Sequence, residues 1–172
     1  MKNILIVSAT LKNNYKLAKK IQDLLENIES NSIKTNVISL ENYQLPIYTE
    51  DAFDEHIDKH KDTISKLTNK FVESDGIIIC APEYNGSTPP IVNNAIAWIS
   101  TTTDYWRDAF NKKIALIGTN SGGPGTKYIT IMKLQMEHLG CVVMPRAISE
   151  NKSNPLNVES ANKILKQFID LI

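Results

Sequence analysis

Short, almost wholly apolar runs alternate along this chain with longer stretches whose apolar positions recur every three to four residues. Residues 2–9 contain Ile4, Leu5, Ile6 and Val7 in succession, the pattern of a strand buried on both faces. Similar runs occur at 33–40, 77–81, 113–118 and 141–144, the last followed by a Pro-Arg-Ala connector. Between them, Leu17, Ala18, Ile21, Leu24, Leu25 and Ile28 fall on one face of a helix. Ile57, Ile64, Leu67, Phe71 and Val72 mark a second helix, running to about Glu73. A third opens after Pro89-Pro90 and covers 90–100. Ile129, Met132, Leu134, Met136 and Leu139 define a fourth, closed by Gly140, and residues 157–172 a fifth. Strands alternating with helices predict an α/β class: a doubly wound, five-stranded parallel sheet with helices on both faces. No linker, repeat or low-complexity segment interrupts residues 1–172, which read as a single domain.

Composition narrows the function classes. The 172 residues are 42% hydrophobic and 22% charged, globular values, and Lys plus Arg equals Asp plus Glu at 19 each. No basic block offers a phosphate-tracking face, so nucleic acid is not an expected partner. No apolar run approaches the ~20 residues that cross a bilayer. The apolar part of the opening MKNILIVSAT is too short for a signal peptide, and the expected location is cytoplasmic. Cys80 and Cys141 fall in predicted strands without CxxC spacing and read as buried thiols. His56 and His60 sit among Asp54, Glu55, Asp58 and Lys59 on a solvated helix face, and no metal site is expected. No Ser-His-Asp or Cys-His grouping is present, so no catalytic side chain is named.

The chemistry lies in three polar loops. The first, from Ser8 through Thr10 to Asn13 and Asn14, joins a strand to a helix N-terminus, where free amides and the helix dipole favour a phosphate. The same residue types also cap helices that bind nothing. The second, Pro82-Glu83-Tyr84-Asn85-Gly86-Ser87, offers an aromatic ring, directional hydrogen bonds and a glycine for close approach. The third, Ser121-Gly122-Gly123-Pro124-Gly125, lets backbone amides face a planar ligand, though in isolation it also reads as a flexible turn.

The run P-E-Y-N-G-S at 82–87, followed by N-A-I-x-W at 94–98, resembles the NADPH-dependent FMN reductase family, which is flavodoxin-like and includes quinone, chromate and azo-dye reductases. S-G-G-x-G at 121–125 is similar to that family's flavin-ring loop, and Leu45-Pro46-Ile47-Tyr48 to its L-P-x-Y stretch. The resemblance implies the strand order 2-1-3-4-5, which brings the loops after strands one, three and four together at the switch point. It implies FMN as cofactor, NADPH or NADH as co-substrate, and a homodimer or homotetramer. The cofactor-binding set it implies is Ser8, Thr10, Asn13, Asn14, Pro82, Glu83, Tyr84, Asn85, Gly86, Ser121, Gly122, Gly123 and Gly125. Asn85 is expected to hydrogen-bond a ring or ribityl atom, with Tyr84 packing nearby.

The phosphate loop departs from the family's G-S-x-R-x-x-S-x-N pattern: Val7 replaces the Gly, and Thr10 stands where Arg is expected. Either hydroxyls, backbone and the point charge of Lys12 hold the phosphate, or flavin affinity is weaker. Ala97 replaces the Asp of N-A-I-D-W, a change that bears on the helix surface or a partner contact. Trp98 and Trp106 read as core or interface residues. The function implied is an NAD(P)H-dependent flavin or quinone reductase that passes hydride through FMN to a diffusible quinone, flavin or similar acceptor. Its rivals are an electron carrier or flavin sensor without nicotinamide turnover, against which the balanced charge argues, and a bare domain that has lost its flavin.

Overall fold

The computed structural model describes residues 1–172, the side chain of Ala52 lying outside the described set. The apolar runs form β1 (Lys2–Ser8), β2 (Ile33–Ser39), β3 (Gly76–Cys80) and β4 (Ile114–Asn120), all parallel. The sheet order is β2-β1-β3-β4 and then the fifth strand, as the family resemblance implied. Alternation within each strand sends neighbouring residues to opposite faces. Leu5, Val7, Ile77 and Ile79 pack on one side with α2 (Glu50–Val72), α3 (Pro90–Thr101) and α4 (Thr126–His138). Ile4, Ile6, Ile78 and Cys80 pack on the other with α1 (Asn13–Ile28) and α5 (Val158–Leu171). Helices cover both faces of the sheet, which is why the middles of β1, β3 and β4 are apolar.

Two boundaries differ from the sequence reading, and a third, the start of the second helix, is one it left open. The acidic stretch at Glu50 opens α2, its Glu50 and Asp51 standing in the first turn where the helix dipole favours them. Leu40–Tyr43 closes β2 with a 3-10 turn that the sequence pattern did not reveal. The fifth strand position is filled by two pieces, β5 (Val142–Val143) and β6 (Ile148–Glu150), both pairing with β4. Pro145, which has no N–H to give the ladder, lies in the break between them. The expected Pro-Arg-Ala connector therefore rejoins the sheet. β6 then carries Glu150 beside Asn120, at the same sheet edge as the three polar loops.

Candidate functional site: a cleft at the carboxyl edge

Ser8, Cys80 and Gly118 are aligned in register, so the loops that follow β1, β3 and β4 leave the sheet side by side. They enclose a cleft of about 690 Å³ lined by Thr10, Asn13, Pro82, Tyr84, Ser121 and Gly122, among others. That size is within the usual ligand-pocket range of ~300–1,000 Å³.

The residues predicted from sequence divide into two groups. The first builds the walls. Asn14 is buried, and its side chain makes a reciprocal pair with the backbone of Asn120: Nδ2 donates to the carbonyl at 2.9 Å, and Oδ1 accepts the N–H at 2.8 Å. Asn120 Nδ2 in turn donates to Glu150 Oε1, and Glu150 Oε2 pairs with Lys20 Nζ at 2.7 Å. The Ser8 hydroxyl, fully buried, donates to the Thr10 carbonyl at 2.6 Å and so folds the first loop onto itself.

Ser121 locks the second loop to the third. The Thr119 hydroxyl gives its proton to the Ala81 carbonyl, so in the Thr119–Ser121 contact at 2.8 Å the donor is Ser121. Ser121 Oγ also accepts the Glu83 N–H at 2.8 Å, which completes a chain across both loops. The Glu83 carboxylate accepts the Lys127 and Tyr128 N–H groups at 3.0 and 3.4 Å, capping α4 in place of its N-cap residue, Gly125. An anion is therefore already seated at the α4 N-terminus.

The second group faces open space. Thr10 and Asn13 border the cleft at the α1 N-terminus. No side chain caps that helix and no acidic residue stands in its first turn. A side chain built at Gly122 or Gly123 would meet no atom within 4 Å, so the space over those two residues is open. Tyr84 is half exposed. Asn85 and Gly86 have φ of 51° and 71°, and Tyr84 and Ser87 exchange backbone hydrogen bonds across them. Two positive-φ residues between paired strands are the signature of a type I′ turn, for which Asn-Gly is the favoured sequence. Asn85 and Gly86 shape the tip that presents Tyr84, and neither lines the main cleft. Gly123 and Gly125 line a smaller hollow of about 340 Å³ beside it.

Four further cleft residues were not in the predicted set: Leu11, Glu41, Asn120 and Lys152. Glu41 comes from the turn after β2 and Lys152 from the segment after β6, and no loop motif flags either. Lys12, expected as a point charge, also lines the cleft. The Asn-Gly pair, by contrast, carries a turn signal that the sequence itself displays.

Three titratable groups are buried in the core. Burial pushes the Cys80 thiol up to about 12, with the Glu150 carboxylate adding to the effect. Burial likewise raises Cys141 to about 12, against a lowering by Lys113. Tyr128 is raised well above its ordinary value by burial and donates its hydroxyl to the Ile79 carbonyl. Trp98 is fully buried, with its indole N–H on the Pro46 carbonyl at 2.8 Å, as a core residue should be.

Comparison with known proteins bears on the fold and the family. The chain covers 99% of itself and 97% of the flavoenzyme NAD(P)H:(acceptor) oxidoreductase FerB of Paracoccus denitrificans, with a TM-score of 0.76 and 21% identity, and the fold is flavodoxin-like. It is 34% identical over 79 residues to the quinone reductase of Escherichia coli K12, covering 46% of this chain and 39% of that protein. An uncharacterized Mycoplasma pneumoniae protein is 29% identical over 115 residues, 66% of this chain and 63% of its own length. These matches span less than two thirds of either curated relative. The profile of the NADPH-dependent FMN reductase family matches residues 2–154, and the chain belongs to that family.

Proposed function

We propose that the cleft holds FMN and that the protein is an NAD(P)H-dependent flavoenzyme of the quinone-reductase kind, passing reducing equivalents to a small diffusible acceptor. The observation that carries this reading is the uncapped α1 N-terminus opening into a cleft walled by two further loops. Free amides there suit a phosphate, and the open ground over Gly122 and Gly123 suits a flat ring system. The donor set fits the group. When bound, FMN supplies the hydride acceptance and electron transfer, so no acid, base or nucleophile is asked of the protein.

The chain's own residues bind and orient. Thr10, Asn13 and the first amides of α1 would take the phosphate, with Lys12 and Lys152 supplying positive charge in place of the family's Arg. Tyr84, the Pro82-Glu83 backbone and Gly122 would flank the ring system. Asn14, Ser121 and Glu83 hold the three loops in mutual register, the preorganisation that such a site needs. One phosphate-binding loop favours FMN over FAD.

Assembly into a homodimer or homotetramer belongs to the same reading. Ile47 is 81% exposed and borders a largely apolar hollow of about 610 Å³ with Tyr48, Pro90, Ile91 and Ala97. Ala97, where the family tends to carry Asp, adds apolar surface to that face. Stopped-flow mixing of FMN-loaded protein with NADPH and with NADH tests the activity: one of them should bleach the flavin absorbance within seconds. If neither does, the protein is a carrier or sensor.

A further inference from the structure

Glu41 stands on Leu40–Tyr43, the turn that follows β2, with the buried Leu40 anchoring it. Its carboxylate reaches across 30 positions of sequence, and Oε2 accepts the backbone N–H of Leu11 in the first loop. Both residues line the cleft at the end where Thr10, Lys12 and Asn13 also stand. Two lysines, Lys12 and Lys152, line the same cleft, and among the described residues neither forms an ion pair. Glu41 pairs with neither of them; its carboxylate is committed to an amide of the loop that a phosphate would enter.

We infer that Glu41 sets the affinity of the cleft for the phosphate end of its ligand, because its carboxylate holds the Leu11 amide and opposes a second anion beside it. The inference rests on the flavin reading above and goes beyond it. A phosphate monoester carries a charge of about −1.5 to −2 at neutral pH. To bind against the first loop it must displace Glu41 from the Leu11 N–H or lie next to it. A flavin without the phosphate meets neither obstacle. Glu41 therefore penalises FMN selectively while leaving recognition of the ring unaffected.

Equilibrium titration of the wild-type protein and Glu41→Gln with FMN and with riboflavin, followed by quenching of flavin fluorescence, tests this. Gln keeps an acceptor oxygen for the Leu11 N–H and removes the charge. The expected result is FMN binding roughly 3- to 10-fold tighter in Glu41→Gln, from relief of an exposed like-charge contact and easier release of one hydrogen bond. Riboflavin affinity should stay within about twofold, and the thermal midpoint of the ligand-free protein should hardly move, as for most surface changes. Unchanged or weaker FMN binding by Glu41→Gln overturns the inference, and so does an equal gain for riboflavin. If FMN and riboflavin both bind and Glu41→Gln alters neither, the flavin reading stands and the inference alone falls. If no flavin binds either protein, both fall.

Discussion

Asn14 and Asn120 lie 106 positions apart in sequence, yet the side chain of one closes a two-bond ring with the backbone of the other, at 2.9 and 2.8 Å. This pair joins the first turn of α1 to the end of β4, and so fixes the phosphate-loop side of the cleft against the glycine-loop side. Asn14→Ala leaves an N–H and a carbonyl without partners in a half-buried place. The expected loss of stability is about 1–3 kcal/mol, read from urea denaturation, with weaker flavin binding beside it. A loss below about 0.5 kcal/mol, the level of an ordinary surface change, would show that the pair contributes little.

Glu83 makes a second test of the loop framework. Its carboxylate is the α4 cap, since Gly125 offers no side chain. Glu83→Ala should cost about 0.5–2 kcal/mol in thermal or urea unfolding. Glu83→Gln, which keeps an acceptor, should recover part of that loss. Equal stability in all three proteins would remove the capping role.

The Asn85 turn calls for a variant that separates shape from contact. From the sequence, Asn85 reads as a ligand group; its φ of 51° gives it a part in the turn as well. Asn85→Ala places a Cβ-bearing residue without Asn's local hydrogen bonding in the left-handed region, at about 1–2 kcal/mol. Asn85→Gly keeps the turn. If the Asn85 amide meets the flavin, Asn85→Gly should bind FMN roughly 3- to 12-fold more weakly, with stability nearly intact. Wild-type FMN affinity in Asn85→Gly would assign Asn85 to the turn alone.

The buried thiols predict an alkaline limit. Cys80 and Cys141 ionise at about 12 in the folded protein, against about 9 when exposed. Above pH 9 the unfolded chain loses these protons and the folded chain keeps them. The stability they confer is therefore complete below pH 9 and falls as pH rises toward 12, by roughly 1 kcal/mol per pH unit for each thiol. Urea midpoints measured from pH 8 upward check the slope. Cys80→Ala should flatten it, and an unchanged slope would place the alkaline sensitivity elsewhere.

Much of this architecture was legible because buried parallel strands leave no room for polar residues. Ile77-Ile78-Ile79 could read as little else. The strand order came through resemblance to a family, since periodicity carries no information on which strands are neighbours. The loops were legible as a place, less so as a division of labour. Ser8, Asn14, Glu83 and Ser121 have the chemistry of ligands, but Ser8 has committed it within its own loop and the other three to another segment at the same sheet edge. Which polar groups remain free is decided by contacts 30 to 106 residues away, and a local motif does not hold that information. Glu41 and Lys152 entered the cleft unannounced for the same reason. The split of the fifth strand was signalled only by Pro145, which read as a connector.

Equilibrium titration of the purified wild-type protein with FMN, and separately with FAD, tests the central claim most directly. The account predicts saturable binding of FMN at micromolar concentration, with a shifted visible flavin spectrum and quenched fluorescence, and weaker binding of FAD. Tighter binding of FAD, or no flavin bound at that concentration, would contradict it.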